Sequence, residues 1–286
     1  MEPIESESRF IWKLILSILK TPFVLLLVIF QKRKLGDLFQ PFYDILEFIF
    51  AARFTISIIV INLIIFIAAI FFMSEETINS LVIYPNNLLS PSLYYTFFTA
   101  GFLHLGFGHI VGNSIFLFIF GRVVERKLGP LKTAIVYFVA MLFGSILYSI
   151  MDLLLTHGNV PGLGASGALM GLAAMAMMID PFYLTFEQII PLPIMVVGWE
   201  AIYLDISGVI NPIADGIGHF AHLGGYLSIL VTGFLIGEKQ DLKKGLIINL
   251  SSLGVALILY FLLISGYIPS FKEIIKLIGQ LIRYIT

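Results

Sequence analysis

The sequence contains no cysteine. Disulfide bonds, thiolate catalysis and cysteine-ligated metals are therefore excluded. Charge is scarce as well, because only 12% of the 286 residues are charged while 59% are hydrophobic. A soluble core could not bury so much apolar surface, and water would not tolerate its exposure. The net charge of −1 gives no indication of nucleic-acid binding. We therefore expect the lipid bilayer, and no nucleic acid, as a partner.

Long uncharged runs predict an all-α polytopic membrane protein. The predicted spans are Phe54–Met73, Phe107–Val124, Leu131–Leu155, Ser166–Ile179, Ile189–Ile206, Ile217–Ile236 and Gly245–Gly266. The fourth span is short because Asp180-Pro181 ends it. Six of these spans fall in residues 54–237, and residues 238–286 contain the seventh span and a basic amphipathic helix at Phe271–Ile285.

Residues 1–53 precede the first uninterrupted span. Charges and prolines interrupt the apolar segments Phe10–Phe30 and Leu35–Phe50, which predicts two helices on the cytoplasmic side of the interface. The first could instead cross the bilayer. The connection Ser74–Leu105 is rich in aromatic residues and is expected in the headgroup region.

Lysine and arginine predict the orientation of the core. They cluster before the first span, between the second and third, and after the sixth. None occurs in Ser74–Leu105, Asp152–Ser166 or Asp205–Ile217. By the positive-inside rule these three connections face away from the cytoplasm. We therefore expect a multi-pass protein of the cell membrane, with Ser166 and His222 near its non-cytoplasmic side.

Polar side chains within apolar spans indicate candidate functional residues. His109 and Asn113 lie four residues apart, on one face of the second span, whereas His104 points elsewhere and is expected to brace the helix entry. Each alone is better explained by hydrogen bonding between helices. Ser166, among small residues, would alone be explained by close helix packing. Ser166, His109, Asn113 and His222 are nevertheless predicted at one depth on one side of the membrane, which favours a shared site.

This combination suits nucleophilic catalysis. Serine becomes a nucleophile when a base takes its proton, and a neutral imidazole such as His222 does so near pH 7. The amide at the helix start beside Ser166 could stabilise an oxyanion, with hydrogen bonds from His109 and Asn113. Asp215 is poorly placed as a third member, so the sequence predicts a Ser166/His222 dyad.

Two alternatives concern the histidines. His219 could serve as the base, although Gly224-Gly225 after His222 favours His222. The chain also lacks a His-Glu-x-x-His motif, and residues three apart on a helix point about 60° apart, so we expect no metal site.

Four motifs together resemble the rhomboid family of intramembrane serine proteases. These are His104-x4-His109-x3-Asn113, Gly121-x3-Glu125-x3-Gly129, Gly164-Ala165-Ser166-Gly167 and Ala221-His222-Leu223-Gly224-Gly225. The resemblance covers roughly Phe54–Gly237 and implies a rhomboid-like core of six transmembrane helices plus a C-terminal seventh. It implies cleavage of transmembrane protein substrates, without a cofactor or metal.

The resemblance also implies a role for each residue. Ser166 and His222 would be catalytic, His109 and Asn113 would bind the oxyanion, and a set of neighbours would support them. This supporting set is His104, Gly164, Gly167, Met170 and Gly225.

Three features, at four positions, depart from the family pattern. Met170 replaces the usual aromatic residue four after the nucleophile, Tyr95-Thr96 replaces a Trp-Arg pair in the first loop, and Ile229 replaces a glycine. The alternative function is a proteolytically silent, client-binding member of the family. A small-solute transporter is disfavoured because the chain has no repeated halves.

Overall fold

The apolar runs fold almost entirely into helices in the computed structural model, which describes residues 4–156, 158–188, 190–210 and 217–265. The helices are α1 (Glu7–Ile29), α2 (Gln40–Phe50), α3 (Arg53–Phe71), α4 (Glu75–Leu81), α5 (Thr96–Thr99), α6 (Phe107–Leu128), α7 (Pro130–Leu155), α8 (Ser166–Ile179), α9 (Ile194–Ile210), α10 (His219–Ile236) and α11 (Lys239–Ile264). The fold class predicted from the sequence, an all-α polytopic membrane protein, is confirmed.

Among the described residues, five helices are long and apolar enough to cross a membrane. They are α1, α3, α6, α7 and α10, and the shorter α8 is apolar too. Helix α1 continues through Pro22 for 23 residues. This length suits the alternative in which the first segment crosses the bilayer, although the sequence favours a position at the interface. The amphipathic helix predicted at Phe271–Ile285 and the end of the seventh span lie outside the described residues.

Helix α8 lies at the centre of the bundle. Twelve of its fourteen residues are buried, because it is apolar on every face. At about 1.5 Å per residue it is about 21 Å long, whereas a bilayer core is about 30 Å thick. A helix this short cannot reach both surfaces. One of its ends therefore lies below the membrane surface.

A β-hairpin precedes the fifth helix of the core, and its second strand occupies residues that the sequence assigned to the start of the predicted span Ile189–Ile206. Strands β1 (Leu184–Gln188) and β2 (Ile190–Pro193) pair antiparallel, and α9 begins only at Ile194. Pro191 and Pro193 lack the amide hydrogens that a helix interior needs, so the apolar run is divided between a strand and a helix.

The end of α6 anchors the N-terminal helices. Buried Arg122 donates to the carbonyls of Phe48 and Glu5, and its guanidinium carbon lies 3.6 Å from the Phe48 ring centroid. Glu125 accepts from the backbone amides of Phe54 and Thr55 at 2.9 and 3.0 Å, and from the Thr55 hydroxyl at 2.8 Å. Glu125 thereby caps α3, which accounts for a charged residue in this buried position.

The connection between α3 and α6 is a packed segment. It contains α4, α5 and the 3-10 turns Pro85–Leu89, Pro91–Leu93 and Ala100–Phe102. At the positions of the missing Trp-Arg pair, the Tyr95 hydroxyl donates to the Ser80 carbonyl at 2.9 Å and Thr96 Oγ1 to the Leu93 carbonyl at 2.7 Å. Hydrogen bonds from Tyr95 and Thr96 therefore anchor this segment in the absence of the Trp-Arg pair.

Candidate active site

The connection between α3 and α6 positions the glycine-rich turn before α8. Ile83 and Gly162 exchange two backbone hydrogen bonds of 3.1 and 2.8 Å, and the Gly164 amide donates to the Ala100 carbonyl at 2.9 Å. Gly164 has φ +119°, and a Cβ there would lie 2.7 Å from His109 Nε2. Only glycine suits both the backbone conformation and this close approach.

Glycines also bring α8 and α10 into backbone contact. A Cβ on Gly225 would lie 1.8 Å from the Gly167 carbonyl oxygen, and one on Gly167 would lie 3.2 Å from the Ala221 carbonyl oxygen. Small residues allow helices in a membrane to approach this closely. Ser166 and His222 each adjoin one of these contact residues in sequence. The crossing therefore holds the two side chains at one level.

A cavity of about 280 Å³ opens beside this crossing. Its polar lining residues include Ser166, Asn113, His222, His219, Asp205 and Glu200. The rest of the lining is largely apolar and includes Met170, which is buried. An apolar cavity with a few convergent polar groups is the usual form of a binding or catalytic site.

His222 has an acidic partner that was not predicted from the sequence. Asp205, a buried residue of α9, has its Oδ1 atom 2.8 Å from His222 Nδ1 and 2.9 Å from His219 Nδ1. The acid closest before His222 in the sequence, Asp215, lies outside the described residues. The sequence did contain a signal for Asp205, because an acidic side chain within an apolar span costs free energy unless it has a polar partner.

His109 is oriented toward the glycine turn. Its Nδ1 accepts from the Leu105 amide at 3.4 Å, so in the neutral ring the proton resides on Nε2. That Nε2 atom lies close to Gly164, at the entry to α8. The ring therefore presents an N–H donor to the segment that carries Ser166.

Asn113 presents a second donor. Its Nδ2 atom is buried and has no hydrogen-bond partner among the residues that the structure describes. A buried amide without a partner costs free energy, on the order of 1–3 kcal/mol. The side chain lines the same cavity as Ser166 and His222. It is therefore available to a ligand oxygen there.

His104 lies outside the cavity lining, just before α6. Its Nδ1 donates to the Phe102 carbonyl at 3.3 Å, and its ring meets the His109 ring edge-on with centroids 5.0 Å apart. Burial, together with the nearby His109, lowers the pKa of His104 to about 4. It is therefore neutral near pH 7 and packs against the residue that faces the turn.

Asp205, His219 and His222 also have the composition of a metal site. Their ligand atoms lie within 4.8 Å of one another, although residues three apart on a helix were expected to diverge. Both Nδ1 atoms already donate to Asp205, so a metal ion would have to replace two hydrogen bonds.

Comparison with known proteins identifies the family. A family model described as the Rhomboid domain matches residues 91–239, which is more than half of the chain. The chain is 30% identical to RHOMBOID-like protein 12, mitochondrial, of Arabidopsis thaliana over 59% of its own length and 54% of the relative. It is also 30% identical to Rhomboid-like protein 11, chloroplastic, of the same plant, over 65% of its own length and 69% of the relative. The Rhomboid-type serine protease 2 of Emericella nidulans is 30% identical over 53% of this chain and 29% of that protein.

The chain therefore belongs to the rhomboid family, which confirms the resemblance carried by its four motifs. It spans about half the length of the first of these relatives. Family membership suggests intramembrane serine protease activity, and the apolar helices make the chain a multi-pass membrane protein.

Proposed function

We propose that this protein is an intramembrane serine endopeptidase that cleaves transmembrane protein substrates, with Ser166 as nucleophile and His222 as general base. The observation that carries the proposal is the backbone contact between α8 and α10, which holds the two residues at one level beside one cavity. Residues 54–237 form the catalytic core in this proposal, flanked by residues 1–53 and 238–286. The cavity faces the non-cytoplasmic side of the cell membrane.

The reaction follows from the groups present. Ser166 Oγ attacks the carbonyl carbon of the scissile peptide bond, and its proton moves to His222 Nε2. The carbonyl oxygen becomes an oxyanion, which accepts hydrogen bonds from His109 Nε2, Asn113 Nδ2 and the Ser166 amide. The C–N bond then breaks as His222 gives its proton to the leaving amine. Water hydrolyses the remaining ester, with His222 again acting as base.

The supporting residues have physical roles in this proposal. Gly164 lets His109 approach the turn, Gly167 and Gly225 let the two helices meet, and His104 packs against His109. Met170 fills the cavity wall one turn beyond Ser166 with a flexible apolar side chain.

The test is cleavage of a fluorescent transmembrane substrate by the full chain in proteoliposomes. We expect Ser166→Ala and His222→Ala each to lower kcat by roughly 10⁴-fold or more. Asn113→Ala should lower kcat by about 10²–10³-fold through loss of an oxyanion donor. A fluorophosphonate probe should label wild type and leave Ser166→Ala unlabelled. Equal cleavage by wild type and Ser166→Ala would refute the proposal.

A further inference from the structure

The buried acid of α9 requires an explanation. Asp205 is 4% exposed, in a helix of otherwise mostly apolar residues. A charge within a membrane span costs roughly 2.5–3.5 kcal/mol on insertion scales. The structure gives this carboxylate two partners, because the Nδ1 atoms of His219 and His222 lie 2.9 and 2.8 Å from the same oxygen.

The hydrogen bond to His222 selects one form of its ring. An ionised carboxylate only accepts hydrogen bonds, so His222 Nδ1 must carry a proton and donate it. In the neutral ring the lone pair is then on Nε2, the nitrogen available to take a proton from a nucleophile. When that proton arrives, the imidazolium gains a charged partner 2.8 Å away. The same contact thus orients the base and stabilises its charged form.

We infer that Asp205 is a positioning residue for His222, so that the reacting set is Ser166–His222–Asp205 and not a dyad. This inference rests on the proposed protease function and adds a third member to its site. His219 is the second donor to the same carboxylate oxygen and helps to fix the position of Asp205 on α9. The acid acts through His222 and does not touch the substrate.

The experiment compares Asp205→Asn with wild type in the proteoliposome cleavage assay. The amide group of the new asparagine can donate a hydrogen bond to His222 Nδ1. This favours the form of the His222 ring that carries its proton on Nε2, and in that form Nε2 cannot take the proton of Ser166. We expect kcat to fall by about 10²–10⁴-fold. KM should stay within about threefold, because the substrate does not contact Asp205.

The matched control is Asp44→Asn. Asp44 is also 4% exposed and is paired with a basic residue, Lys13, at 3.5 Å, but it lies on α2, outside the cavity. This variant loses an equally buried carboxylate, and we expect its kcat to remain within about twofold of wild type.

A second variant separates positioning from folding. Asp205→Ala leaves space where the carboxylate was, and added formate should restore part of its kcat because formate can accept the His222 Nδ1 proton. Formate should not restore His222→Ala. A carboxylate that served only to pack α9 would show no such rescue.

The outcomes are distinguishable. If Ser166→Ala and His222→Ala lose activity while Asp205→Asn keeps the wild-type kcat, the triad is refuted and the proposed protease stands. If Ser166→Ala remains active, the proposed function itself fails. Unfolding of both Asp205 variants in detergent, measured by thermal scans, would assign Asp205 a structural role and also overturn the inference.

Discussion

The contact between α8 and α10 predicts a large effect from one added methyl group. In Gly225→Ala the new Cβ would lie 1.8 Å from the Gly167 carbonyl oxygen, whereas ordinary contacts begin near 3.4 Å. Both partners are backbone, so the helices must separate by about 1.6 Å. Overpacking of this kind costs about 1–3 kcal/mol. The better helix propensity of alanine offsets up to about 1 kcal/mol of that cost.

The separation should also displace His222 from Ser166. Misplacement of a catalytic group by about 1 Å costs on the order of 10²-fold in rate, so we expect a comparable loss of kcat for Gly225→Ala. Cleavage in proteoliposomes and thermal unfolding in detergent measure the two effects. The control is Gly233→Ala on the same span, where the new Cβ would lie 3.2 Å from the mobile end of Ile229. Wild-type kcat and stability in Gly225→Ala would refute the close contact.

Two further predictions concern stability, measured by unfolding in detergent. Glu125→Gln replaces a carboxylate that accepts three hydrogen bonds at the start of α3. It should cost about 2–3 kcal/mol. Glu75→Gln, which removes an exposed acid from the first turn of α4, should cost less than about 1 kcal/mol, and equal losses of stability in the two variants would contradict the cap. His104 has its pKa lowered from 6.5 to about 4 by burial and by the nearby His109, so the unfolded chain binds its proton more readily. Its contribution to stability is therefore complete above pH 6.5 and is lost as pH falls toward 4. His104→Gln should weaken this pH dependence, and an unchanged dependence would refute the assignment.

Local signals in the sequence predicted α8 to the residue. Ser166 follows a glycine-rich turn, and Asp180-Pro181 cannot continue the helix, so both ends are encoded within a few residues. The apolar character on every side of α8 is also typical of a buried helix. These features depend on short stretches of chain and are therefore readable without a structure.

The hairpin before α9 could not be predicted in the same way. A short apolar run suits a buried strand as well as a helix, and periodicity does not separate them. Leu184–Gln188 and Ile190–Pro193 are strands because they pair antiparallel with each other, a contact that no single segment encodes. Pro191 and Pro193 were the available signal, since both disfavour the interior of a helix.

The pairing of Asp205 with His222 could not be predicted from the sequence. An acid in an apolar helix implies a buried partner, and histidines at the same predicted depth are suitable partners. However, α9 carries two acids, Glu200 and Asp205, and both line the cavity. Which of them meets His222 depends on the rotation of α9 about its axis and on its tilt against α10. Packing between distant parts of the chain sets both quantities, so the sequence motif around His222 cannot determine its partner.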